Sequence, residues 1–186
     1  MFWWPVPWLV PLLTASFAWA AAEVPESGQP ATAPARVEQV VDGDTVRIRT
    51  ADGQRLTLRL LAIDTPEIGQ PGGAEAARWV ADVVCGIDIR WESHGHDRYG
   101  RTVASIYLGE DDLAVRMLRE GLAWRLSRFL RDQPLARRDA YEAAWQAARR
   151  EGRGLWSGVP QPPWEWRQSN PPRQGSASID CSDHRR

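Results

Sequence analysis

The chain has 186 residues, enough for one domain of ordinary size with segments to spare, and its 23 basic and 24 acidic side chains leave a net charge of −1. A nearly neutral chain has no global field to draw in a polyanion, so a nucleic-acid partner must be held by a local patch. The basic side chains are all arginine. Genomic base composition can produce such a bias, but every basic site still carries a planar, permanently charged fork suited to phosphate.

Residues 1–22, "MFWWPVPWLVPLLTASFAWAAA", are apolar and carry no charged side chain. Pro5, Pro7 and Pro11 argue against a regular spanning helix, and the stretch ends in small residues at Ala18-Trp19-Ala20 or Ala20-Ala21-Ala22. This pattern predicts a secretory signal peptide and export to the periplasm or beyond. An uncleaved membrane anchor is the alternative, and the lack of a basic flank weakens both. Residues 23–35, rich in Pro, Ala and Ser, read as a linker.

Strand patterns follow. "RVEQVV", "TVRIRT" and "QRLTLRLLAI" carry alternating or continuous apolar residues, and Ala51-Asp52-Gly53-Gln54 marks a hairpin turn between the second and third. Pro66 and the "GQPGG" of residues 69–73 end this region. In "AEAARWVADVVCG", Ala77, Val80, Ala81 and Val84 recur at helical spacing, with Gly86 as the stop. Two more strands, "IDIRWES" and "RTVASIYL", flank "HGHDRYG". A second helix is predicted over about 112–120, capped by Asp111 or Asp112 and stopped by Gly121, and a third over about 134–150 with Tyr141, Ala144, Trp145 and Ala148 on its apolar side. The order of elements predicts an α+β domain over 36–157, a five-stranded OB-fold β-barrel with three packed helices, and then an irregular Pro/Trp/Arg-rich tail over 158–186.

The carboxylates of "VVDGDTVRIRTADGQRLTLRLLAIDTPE" bound these strands. Asp44 opens the second, and Asp64 and Glu67 follow the end of the third; an antiparallel hairpin brings Asp44 and Asp64 to the same end. With the Thr65 carbonyl they make an oxygen-only set suited to a hard cation such as Ca²⁺, and leave Glu67 free to act as a base. Either aspartate alone reads as a turn residue satisfying loop amides. Arg59 is a charge inside an apolar strand and needs a partner there. Strict alternation, however, puts Arg59 and Asp64 on opposite faces, so the chain must bend or bulge between them for both to reach one site. Arg101, taken alone, is an exposed hairpin arginine. Two arginine forks, a hard-cation site and a free carboxylate are together the parts needed for phosphoryl transfer.

"DGDTV", "LRLLAIDTPE" and "DRYGR", in this order and spacing, resemble the staphylococcal nuclease (thermonuclease) family, and the likeness runs from about Arg36 to Trp156 through "EGLAW" and "GLWS". The resemblance implies a Ca²⁺-dependent phosphodiesterase on an OB-fold that cuts DNA and RNA and leaves 3′-phosphate ends. On matching positions, it implies that Asp44, Asp64 and the Thr65 carbonyl bind the metal. Glu67 would be the general base, Arg59 and Arg101 would stabilise the transition state, and Arg98 and Tyr99 would contact a terminal phosphate. Two departures bear on substrate binding. The loop after "DTPE" is only "IGQPGGAE", where the family type has a longer, lysine-rich one, and two nucleotide-binding tyrosines are replaced by Ser127 and Phe129. Base stacking then falls to Phe129 or Trp124.

Between Arg116 and Arg138 seven arginines face only Glu120 and Asp132, a local net of +5, with Trp124 and Phe129 among them. That composition suits a single-strand channel, and about half of it is equally well explained as a solvated helix face with core aromatics. Single-stranded DNA and RNA are the expected partners and a monomer the expected state. Cys85 and Cys181 read either as a disulfide tying the tail to the domain or as one buried and one solvated thiol. His94 and His96 do not make a zinc site, since the only further histidine is His184. The rival functional class is a non-catalytic OB-fold module that binds nucleic acid or protein, which has no need for Asp44, Arg59, Asp64, Glu67 and Arg101 together.

Overall fold

The structure, a computed structural model, describes Met1 and residues 32–171 and 178–184. The predicted signal peptide, apart from Met1, and most of the predicted linker lie outside the described residues. Strand β1 (Ala33–Val40) begins inside the stretch read as linker. It is followed by β2 (Thr45–Thr50) and β3 (Arg55–Leu60) in an antiparallel meander. Alternation does the sorting: Val46 and Ile48 are fully buried, while Arg47 and Arg49 between them face solvent. The β2–β3 turn closes as expected, with the Gly53 N–H donating to the Thr50 carbonyl at 3.0 Å and Gly53 at φ 87°.

A two-residue strand, β4 (Ile63–Asp64), precedes helix α1 (Gly73–Val84). Its buried face is Ala76, Ala77, Val80, Ala81 and Val84. Three small alanines let the helix lie close on the barrel. The long strands β5 (Asp88–His96) and β6 (Thr102–Leu108) then pair antiparallel with each other. β5 returns to β1 and β6 runs parallel to β3, so the order β1-β2-β3-β6-β5 closes on itself as a five-stranded barrel. Val37, Val40, Val46, Ile48, Leu58, Leu60, Ile89, Ala104 and Ile106 fill it.

A short β7 (Asp111–Asp112) leads into α2 (Leu113–Arg119), capped by the Asp112 carboxylate, which accepts from Ala114 N–H at 2.8 Å and Val115 N–H at 3.3 Å. β8 (Trp124–Arg125) pairs with β4, and α3 (Leu135–Glu151) buries Tyr141, Ala144 and Ala148. The three predicted helices are therefore present. The tail differs from the irregular segment expected of it: it holds α4 (Pro163–Ser169) and β9 (Ile179–Asp180), which pairs with β1. Pro163 occupies the first turn, where its missing N–H costs nothing, and Trp164 meets Trp124 edge-on at 6.4 Å. The Gln70 side chain donates to the Gln161 carbonyl at 2.6 Å. Cys85, at the end of α1, is disulfide-bonded to Cys181.

Candidate active site

Asp42, Gly43 and Asp44 form the turn between β1 and β2. Asp42 Oδ1 accepts from the Asp44 N–H at 3.0 Å. Gly43 is required by close approach, since a Cβ there would stand 2.8 Å from Thr65 Oγ1 and 2.9 Å from Ala76 Cβ. The turn thus lies against the segment that follows β4. Asp44 Oδ2 accepts from the Thr65 N–H at 2.8 Å and from its hydroxyl at 3.0 Å, which fixes two of the three predicted metal-site residues together.

Alternation forbids Arg59 and Asp64 a common face, and the chain resolves the conflict at Ala62. This residue has φ 54°, the one non-glycine positive φ among the described residues. Such a conformation costs an L-residue on the order of 1 kcal/mol and survives only where its surroundings enforce it. Here Leu61 N–H donates to Ala104 O at 2.9 Å and Leu126 N–H to Ala62 O at 2.8 Å. The kink ends β3, starts β4 and turns Asp64 towards Arg59. Arg59 Nη2 then lies 3.0 Å from Asp44 Oδ2 and 3.1 Å from Asp64 Oδ1, one guanidinium nitrogen shared by two buried carboxylates. Asp44 and Asp64 are only 5% and 4% exposed.

A cleft of ≈ 830 Å³ opens over this cluster and is lined by Asp42, Asp44, Arg59, Asp64, Thr65, Glu67, Arg98, Tyr99, Arg101, Arg128, Phe129 and Arg167. Arg101 is not a free hairpin arginine: Nε donates to Asp97 Oδ2 at 2.7 Å and Nη1 to Thr45 Oγ1 at 3.3 Å. Asp97 also accepts from the N–H groups of Tyr99 at 2.9 Å and Arg101 at 3.0 Å, so one carboxylate shapes the turn and aims the guanidinium. Glu67 is held through its backbone, its N–H donating to Gln70 Oε1 at 3.2 Å while its carbonyl accepts from the Gln70 N–H at 2.7 Å. Its carboxylate meets Arg167 of α4: Nη1 lies 2.6 Å from Glu67 Oε1 and Nη2 2.7 Å from Asp64 Oδ2.

Burial sets the electrostatics of the aspartates in the cluster. Burial, reinforced by the Asp44 charge, pushes the Asp42 carboxyl up to about 7. Burial also raises Asp64, against the pull of its hydrogen bond from Arg167. Burial works against the charge on Arg167, but the hydrogen bonds to Asp64 and Glu67 outweigh it and hold its pKa above the usual arginine value. No three His, Cys, Asp or Glu side chains among the described residues converge as a complete metal cage. What converges is two buried carboxylates with a third beside them, hard oxygen donors held by the guanidinium groups of Arg59 and Arg167. That donor set fits a hard divalent cation whose remaining positions go to water and substrate.

The family model described as "Staphylococcal nuclease homologue" matches residues 57–158, more than half of the chain. The chain belongs to the staphylococcal nuclease family. This nuclease is 35% identical over 170 residues to a "Micrococcal nuclease" of Shigella flexneri, covering 85% of this chain and 95% of that one. It is 32% identical over 134 residues to an "Uncharacterized endonuclease" of Haemophilus influenzae, 72% of each chain. It is also 35% identical over 118 residues to a staphylococcal-like nuclease of Arabidopsis thaliana, 62% of this chain and 34% of that one. The protein is a phosphodiester-hydrolysing nuclease with nucleic acid as its substrate.

Beside the carboxylate–arginine cluster of this nuclease, Tyr99 and Phe129 stand at the cleft, 68% and 50% exposed. Each carries an arginine over its ring, Arg98 at 4.9 Å and Arg128 at 4.6 Å. Trp124, expected as an alternative stacking residue, does not serve that role. It is 7% exposed and packs edge-on against Trp156 at 5.3 Å, while its backbone pairs with Asp64. Three of the seven arginines of the predicted basic channel have partners within the fold. Arg137 is tied to Glu92 at 2.6 Å and Arg125 to Glu142 at 2.5 Å, and Arg116 lies over Trp79; of the seven, Arg128 lines the cleft. Sequence reasoning assigned no site role to Asp42, Asp97 or Arg167. For the first two a signal was present in "DGD" and "HDRYG", each one to four residues from an assigned residue. Arg167 had none, being 103 residues from Asp64 in a segment without periodicity.

Proposed function

We propose that this nuclease is Ca²⁺-dependent, hydrolyses DNA and RNA with single strands favoured, leaves 3′-phosphate ends and acts as an exported monomer. The observation that carries this reading is the convergence of Asp44, Arg59, Asp64, Glu67 and Arg101 on one cleft, with Arg59 shared between the two buried aspartates. Asp44, Asp64 and the Thr65 carbonyl would hold Ca²⁺, which when bound supplies charge neutralisation at a phosphate oxygen. Glu67 takes the proton of a water whose oxygen attacks phosphorus, and the bond from phosphorus to the 5′-oxygen breaks. The guanidinium groups of Arg59 and Arg101 hold the equatorial oxygens as negative charge grows on them. A proton from solvent completes the 5′-hydroxyl, and the phosphate stays on the 3′-oxygen. The exposed rings of Tyr99 and Phe129 suit unstacked bases, which favours single strands. Export is supported by the leader-like first 22 residues and by the Cys85–Cys181 disulfide, a bond at home in an oxidising compartment.

The test is cleavage of heat-denatured DNA by the chain from Glu23 onward, purified without reductant, with CaCl₂ and then with excess chelator. Cleavage is expected to stop on chelation and to fall by at least about 10²-fold in Glu67→Ala and in Arg59→Ala. Cleavage that survives chelation, or wild-type rates in either variant, would refute the assignment.

A further inference from the structure

We propose that Arg167 is a built-in counter-cation that competes with the divalent metal for Asp64 and Glu67, so that helix α4 sets the metal affinity of the site. The inference rests on the reading above that Asp64 is a metal ligand. Arg167 takes both oxygens of Asp64, Nη2 on Oδ2 at 2.7 Å and Nη1 on Oδ1 at 3.3 Å, and Nη1 also takes Glu67 Oε1 at 2.6 Å. Arg59 already holds Asp64 Oδ1 at 3.1 Å from the other side. Both oxygens of Asp64 are therefore engaged by guanidinium groups, Oδ1 by two and Oδ2 by one. A cation seated 2.3–2.6 Å from Asp64, the usual range for calcium–oxygen bonds, would stand within a few ångströms of the Arg167 charge. Like charges at that range in a partly buried cleft repel, so the Arg167 contact and metal entry weaken each other.

The contact is delivered by a fixed element rather than a loose tail. Pro163 is buried, Trp164 packs on Trp124, and Gln70 holds the Gln161 carbonyl just before α4. β9 and the Cys85–Cys181 bond fasten the chain again beyond it. Arg101 has a carboxylate of its own in Asp97, 2.7 Å away, whereas the carboxylates that Arg167 grips are those of the site. An arginine needed only to fasten the tail would not require the proposed base and metal ligand at once. One placed there neutralises the cluster while no metal is bound and loosens when a divalent cation arrives.

Isothermal titration with CaCl₂ tests this directly, without reference to cleavage. Arg167→Gln, checked for an unchanged melting temperature, is expected to bind Ca²⁺ about tenfold more tightly than wild type, the equivalent of losing one competing charged hydrogen bond. Arg167→Lys, which keeps the charge and loses the fork, should fall between them. In wild type, saturating CaCl₂ should also speed amide hydrogen exchange within α4. Equal or weaker Ca²⁺ binding in Arg167→Gln, or unchanged exchange in α4, would overturn the proposal. Binding that is lost in Asp44→Asn but equal in wild type and Arg167→Gln would overturn the competition alone. No binding in any of these proteins would overturn the metal assignment with it.

Discussion

Replacing Gly73 by alanine sets two effects of known sign against each other. Gly73 is the first residue of α1 and its φ is not positive, so helix propensity alone favours alanine by up to about 1 kcal/mol. A Cβ at this position would stand 1.8 Å from the Glu67 carbonyl oxygen, 2.5 Å from the Glu67 carbonyl carbon and 2.9 Å from the Pro66 carbonyl oxygen. A normal carbon–oxygen contact needs roughly 3.2 Å, so the loop must retreat by about 1.4 Å, an overpacking that costs about 1–3 kcal/mol. Sterics therefore outweigh propensity, and a net loss of about 1 kcal/mol is expected in urea denaturation. The atoms that must move belong to Glu67 itself. With Glu67 as the proposed general base, a displacement of about 1 Å there costs about 10²-fold, so kcat should fall by that factor while KM changes little. Gly69→Ala is the control, because a Cβ there meets no atom within 4 Å. A Gly73→Ala enzyme with wild-type kcat, or one more stable than wild type, would refute the reasoning.

Three further outcomes are expected. Tyr99→Ala and Phe129→Ala should each raise KM for single-stranded DNA roughly tenfold with kcat nearly unchanged, in line with the loss of one stacked base; steady-state kinetics on short oligonucleotides would show it. Cys181→Ser removes a bond that closes a loop of 96-residue separation, and should lower stability by up to about 4.7 kcal/mol, matched by wild type in reductant and read as a drop in melting temperature. Burial lowers the pKa of His94, against the opposing Glu92 charge, with Arg137 also facing it and Ser105 Oγ 3.0 Å from Nε2. The unfolded chain then protonates first, so the stability His94 contributes is present above pH 6.5 and lost as pH falls towards its folded pKa. His94→Gln should flatten that part of the stability–pH curve, and an identical slope in both proteins would contradict the assignment.

The barrel strands and the first three helices were legible because each buries one face. Ala77, Val80, Ala81 and Val84 have helical spacing and pack as such, and Val46 and Ile48 alternate with arginines and fill the barrel. The meeting of Asp44 and Asp64 at one end followed from hairpin geometry alone. The meeting of Arg59 with Asp64 did not, because it depends on a left-handed alanine that no local signal announces. Trp124 was misread because an aromatic among arginines looks the same in sequence whether it stacks on a base or on Trp156. Two arginines of the apparent channel, Arg137 and Arg125, are claimed by Glu92 and Glu142, partners that only the tertiary fold brings near. Arg167 was illegible for the same reason, with its carboxylates about a hundred residues away.

The kink at Ala62 has a consequence for how the molecule loosens. It separates the hydrogen-bond ladder of the barrel from the two-residue β4–β8 ladder, so Asp44 stands at the start of a barrel strand, Asp64 in the short pair beside it, and Arg167 in α4. Units that share few ladder bonds open at different free energies. Mutational damage in the helical layer should then erode turnover well before it lowers the global melting point, because the short pair loses alignment while the barrel stays intact. In a drifting lineage of this fold, lost activity would come first and lost structure later, which would leave intact barrels available for binding without cleavage.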